Sequence, residues 1–319
     1  MNYKKLIAQA WESTQYEKGL IMWYGFVPSI LTTTFGFIYI AYQFMAFKKS
    51  HLFDNADESF LTEMFKFILS FFGEHFSLII PALIIGAVFT VFYLLYPTLA
   101  TASAVQAIAR RKNGQSSGPG VGLKYGVRAF LPLFEYHMII KTFSFFAILI
   151  EIAFALRNLP LALFELLLPV LILVLIIGLA LTLFLTFTDF FIIIDKANIV
   201  ESMKKSTLLV WMNWRQTLLI SILMMIIGVR IVIQALMVFI IPMLIMGATA
   251  YMTTVIVPGI SIALGVISGL IVLMIAAYLN GIVDIFSYTV WTYSFLELTS
   301  EKELSPRESM ENGAKVGEV

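Results

Sequence analysis

The chain contains no cysteine. Disulfide cross-links, thiolate chemistry and palmitoylation are therefore excluded. Charge is almost as scarce: 13% of the 319 residues are Asp, Glu, Lys or Arg, where soluble domains carry about 25%. The signs nearly cancel, at 21 basic and 20 acidic residues, so no overall field recruits nucleic acid. The three histidines, His51, His75 and His137, lack the spacing of a metal motif. Neither a metal nor a cofactor is expected. What the chain has is apolar surface. Sixty per cent of it is hydrophobic, more than a soluble core of this size could hide. Lipid must be its solvent.

A membrane helix needs about 20 mostly apolar residues. Six segments qualify: Leu20–Phe47, Ser77–Ala100, Met138–Leu156, Leu161–Phe187, Thr217–Met246 and Val257–Phe286. The first is too long for the apolar core of a secretory signal, about 7–15 residues. The expected fold class is all-α: a multi-pass, polytopic membrane domain over residues 1–298, then a polar, disordered cytoplasmic tail over 299–319.

Basic residues set the orientation. With the N-terminus inside, the inner segments hold Lys4, Lys5 and Lys18; Arg110, Arg111, Lys112, Lys124 and Arg128; Lys196, Lys204, Lys205 and Arg215; and Lys302, Arg307 and Lys315. The outer segments hold only Lys48, Lys49, Lys66 and Arg157. All five tryptophans fall near the same inner interface. Both termini are expected in the cytoplasm, with the protein in the cell membrane.

The chain also reads as a threefold internal repeat. Pro81, Pro169 and Pro258 recur at nearly equal spacing, each expected in the first turn of an even-numbered span, where proline is tolerated. An amphipathic elbow precedes each odd-numbered span. The first presents Tyr3, Leu6, Ile7, Ala10, Trp11 and Thr14 on one helical face; the second presents Leu123, Val127, Phe130, Leu131 and Phe134. In the third, Ile199, Val200, Met203, Val210, Trp211 and Trp214 oppose Glu201, Lys204 and Lys205. These stretches are too polar to span and suit a helix lying in the interface. A further amphipathic helix is expected over Phe60–Phe72 in the first outer loop. The glycine-rich loop from Asn113 to Gly122 matches no phosphate-binding pattern and reads as a linker.

Ionisable groups inside a span are functional candidates, because each must find a partner or water. Arg230 lies sixteen residues past Trp214, about 24 Å into the membrane, and Glu151 fourteen past His137, about 21 Å. Their matched depth makes them the expected pair, with Gln234 one turn from Arg230 and Glu165 as the rival partner. Lys141 and Asp284 form a second, inner set.

The run Asp195-Lys-Ala-Asn-Ile-Val-Glu-Ser-Met-Lys-Lys-Ser206, followed by Trp211, Asn213 and Trp214, resembles the cytoplasmic elbow of a known membrane domain. That six-span domain precedes some bacterial glycerophosphodiester phosphodiesterases and also stands alone. The resemblance implies the non-catalytic part of such proteins, since no soluble barrel is present. The function expected is thus a non-enzymatic integral membrane protein whose elbows (Met203, Lys204, Lys205, Trp211, Trp214) organise lipid. Its partners would be the lipid bilayer, anionic headgroups or a membrane protein partner. The alternative is a transporter or channel for a small solute or ion using Arg230, Glu151 and Gln234. An enzyme acting through Asp189 and Asp195 is the weakest reading, because no nucleophile–base pairing supports it.

Overall fold

The computed structural model describes residues 3–48, 60–140, 143, 145–226, 229 and 258–315. Among them no residue is in a strand. The helices are α1 (Tyr3–Tyr16), α2 (Val27–Lys48), α3 (Phe60–Glu74), α4 (Ile79–Lys112), α5 (Pro119–Ile140), α6 (Phe145–Asn158) and α7 (Leu161–Phe184). They continue with α8 (Thr188–Ile193) and α9 (Ile199–Met212), then α10 (Trp214–Ile226) and α11 (Pro258–Lys315). A π-helical turn, Ile21–Phe26, leads into α2.

Among the described residues, three helices are long and apolar enough to cross a membrane, within Phe76–Lys112, Ala162–Phe184 and Gly269–Ser300. A fourth candidate exists only if α9 and α10 are counted together, and these meet at 98°. The protein is a helical membrane protein. Two sequence expectations differ in detail. Pro81 and Pro258 sit in the first turns of α4 and α11, but Pro169 lies inside α7. The run after Pro160 already forms helix from Leu161, so Pro169 removes an interior hydrogen bond instead of opening the span. The helix of α11 also continues to Lys315, into the segment that reads as a disordered tail.

The chain divides into two compact units: Met1–Ile30, Thr98–Leu133 and Leu183–Val319 form the first, Leu31–Pro97 and Phe134–Thr182 the second. In the first unit α1 buries Leu6, Ala10 and Thr14, spaced every four residues on one face. Both α1 and the π-helical turn pack on α11. Trp11 meets Phe286 edge-on at 5.5 Å. Deeper in the unit Phe295 contacts Phe187, Phe190 and Phe191 at centroid distances of 6.2, 5.8 and 4.8 Å. All five tryptophans belong to this unit.

The end of α4 shows why the basic triplet Arg110-Arg111-Lys112 is held in place. Gly114 has φ +66°, a left-handed conformation that favours glycine. Its N–H donates to the Arg111 carbonyl at 3.0 Å, and the Gln115 N–H reaches the Arg110 carbonyl at 2.9 Å. This double closure satisfies carbonyls that a bare helix end leaves open.

The second unit is built from α2, the first part of α4, α6 and α7, together with α3. Helix α3 forms where its period predicts. Phe35 stacks on Phe89 at 5.1 Å. Arg157, at the end of α6, is buried: it donates to Gln43 Oε1 and, at 3.3 Å, to the Tyr42 hydroxyl, with Phe154 and Tyr42 rings 5.5 and 5.4 Å away.

Candidate functional site

The elbows α5 and α9 pack through their small residues. In α5, Gly122, Gly126, Ala129 and Leu133 are buried, while Leu123, Val127 and Leu131 are exposed. A Cβ at Gly122 would stand 2.6 Å from the Ser103 carbonyl oxygen, and one at Gly126 2.7 Å from Ser103 Cα. Small residues let α5 lie directly on α4.

Helix α9 follows the same plan. Ser202, Ser206, Leu209 and Val210 are buried. The Ser206 hydroxyl donates to the Phe184 carbonyl at 2.8 Å and accepts from the Phe187 N–H at 3.1 Å, bridging the gap between α7 and α8. Val200, Leu208, Trp211 and Met212 point outward, Trp211 with 70% of its surface exposed. The apolar face read from sequence is thus divided: Val210 goes in, and Val200 and Trp211 go out. The physical reason is size. Serines and glycines allow close backbone approach, so the bulky apolar residues are left on the outer side, where a membrane can take them.

Around this outer side the elbow residues take defined places. Met203 is half-buried; Lys204, Lys205 and Trp214 are exposed. Lys205 pairs with Glu201 at 2.8 Å. Hydrogen bonding to that carboxylate raises the Lys205 ammonium above its ordinary pKa. Arg215 lies 5.4 Å from the Trp214 ring, and Trp211 stacks on Phe184 at 6.4 Å. The 98° turn from α9 into α10 falls at Asn213, whose side-chain amide donates to the Leu209 carbonyl at 3.1 Å. The same carbonyl accepts the Asn213 N–H at 3.0 Å, so Asn213 closes the end of α9 with both its backbone and its side chain.

The intramembrane candidates separate. Arg230, Gln234 and Lys141 lie outside the described residues. Glu151 on α6 and Glu165 on α7 are both exposed. Asp284 on α11 accepts a hydrogen bond from the Ser29 hydroxyl at 3.0 Å, and one turn on, the Tyr288 and Thr101 hydroxyls meet at 3.0 Å. These contacts tie α2, α4 and α11 together within the first unit. Among the described residues no His, Asp or Glu cluster could hold a metal. The sequence reading missed Arg157, counting it as an outer loop charge. Its signal was weak: one basic residue followed by Asn-Leu-Pro, with no visible partner nearby in the sequence.

One family model matches the chain, over residues 121–289, and its description is a domain of unknown function (DUF7847). No curated protein and no solved structure matches.

Proposed function

The chain belongs to the DUF7847 family, and from that premise we propose that it is a non-catalytic, multi-pass membrane protein that organises lipid at the cytoplasmic face through its elbow helices. In this reading six spans form three elbow-and-hairpin repeats, and both termini are cytoplasmic. The resemblance to the membrane domain of glycerophosphodiester phosphodiesterases is part of the same proposal, with lipid surface and not phosphodiester cleavage as the shared element.

The observation that carries it is the pair α9 and α10. Membrane helices tilt about 0–40° from the bilayer normal. A helix at 98° to such a span lies close to the membrane plane. Helix α9 carries Glu201, Lys204 and Lys205, which disfavours reading it as half of a broken span. Its outward Leu208, Trp211 and Met212 suit the headgroup–acyl boundary. The lysines add roughly 1 kcal/mol each near anionic lipid. No feature of the described residues favours the transport alternative over this reading.

The test is lipid selectivity of the full chain in nanodiscs of mixed anionic and zwitterionic lipid. Wild type should enrich labelled anionic lipid around itself, and Lys204→Gln with Lys205→Gln should reduce that enrichment. Equal enrichment in both proteins would remove the elbow from the account.

A further inference from the structure

An open cavity of about 570 Å³ lies in the first unit, within the size range of small-ligand sites. Helix α1 supplies Lys5, Leu6 and Gln9, the end of α4 supplies Lys112, and α11 supplies Tyr293 and Glu297. The lining is polar at the rim, with Leu6 and Tyr293 buried beneath it.

Lys112 is held in place by uncharged groups. Its ammonium donates to Gln9 Oε1 at 3.3 Å and stands 4.4 Å from the centre of the Tyr293 ring, whose hydroxyl is bonded to Ser13 Oγ at 3.2 Å. Among the described residues no ion pair joins Lys112 to Glu297, although both line the cavity. The cavity therefore presents a positive and a negative group that do not neutralise each other. The carbonyls ending α4 are closed by the Gly114 turn, which blunts the negative helix terminus that would otherwise repel an anion.

We infer that this cavity binds a phosphoamine: a group bearing a phosphate ester, taken by Lys112, and an ammonium, taken by Glu297. The same chemistry is offered by an ethanolamine-type lipid headgroup and by a soluble phosphoamine. This site is separate from α9 and does not depend on the membrane docking of that helix.

The experiment is titration of the detergent-solubilised full chain with O-phosphoethanolamine and with inorganic phosphate. Wild type should bind the phosphoamine about tenfold more tightly than phosphate, the scale of one charge-assisted contact. Lys112→Gln should weaken both ligands, and Glu297→Gln should bring them to parity. Glu297→Lys should reverse the preference, a change that misfolding cannot produce. Absence of saturable phosphoamine binding, equal wild-type affinities, or no effect of Lys112→Gln would overturn the inference. Competition by nanodiscs of phosphatidylethanolamine, but not of phosphatidylglycerol, would identify the lipid headgroup as the source; its absence, with soluble binding intact, would identify a soluble phosphoamine. Trp211→Ala should leave all of these affinities unchanged, which separates a failure here from a failure of the elbow proposal.

Discussion

Gly25 and Gly281 meet backbone to backbone. A Cβ at Gly281 would stand 2.5 Å from the Phe26 nitrogen, and one at Gly25 2.9 Å from the Gly281 carbonyl carbon. The π-helical turn and α11 approach this closely because neither residue has a side chain, and the Ser29–Asp284 bond lies one turn further along. Gly281→Ala should destabilise the full chain in detergent by about 1–3 kcal/mol, the usual scale of overpacking. Gly269→Ala is the control: nothing lies within 4 Å of its Cβ position. Helix propensity alone should then make it neutral to about 1 kcal/mol stabilising. Thermal midpoints of the two variants decide the matter, and equal losses would contradict the contact.

Ser206 is the second test of packing. Its hydroxyl serves one backbone acceptor and one backbone donor where α7 gives way to α8. Ser206→Ala leaves both without that partner and should cost about 1–3 kcal/mol. The neighbouring Thr207 is exposed and supplies the control. Thr207→Ala should change the midpoint little, and equal losses in the two variants would remove the bridging role of Ser206.

Two hydroxyls point to changes that should stabilise. Among the described residues, those of Thr188 and Thr217 are buried with no hydrogen-bond partner. Valine has nearly the same shape and no polar atom to desolvate. Thr188→Val and Thr217→Val should each raise the thermal midpoint, by the equivalent of about 1 kcal/mol. A lowered midpoint for either would show that its hydroxyl has a partner after all.

Topology is open to a direct assay. A reporter active only outside the cytoplasm should be silent when fused at Gly114 or after Lys302, and active within 49–59. Activity at Gly114 would reverse the orientation drawn from the basic residues.

The sequence made the helical, lipid-solvated character legible because composition alone forces it. It located α1 and α3 as helices, since each keeps a helical period over its whole length. It did not show which faces of α5 and α9 pack within the protein. Hydrophobic periodicity marks the bulky face, whereas the contacts are made by Gly122, Gly126, Ser202 and Ser206, whose value lies in being small. Long-range pairs such as Ser29 with Asp284, or Lys112 with Gln9, leave no local pattern at all. The matched depth of Arg230 and Glu151 is a relation between residues of which only Glu151 is described.

The central claim, that α9 lies in the membrane interface with Trp211 toward lipid, has one direct measurement. Because the chain has no cysteine, a single Trp211→Cys substitution accepts one spin label on the full chain in nanodiscs. Power-saturation depth should place that label about 5–10 Å below the headgroup surface, and a label at Ser116→Cys, in the exposed loop after α4, should lie in water. Equal and full accessibility of both labels to a water-soluble relaxation agent would contradict the account.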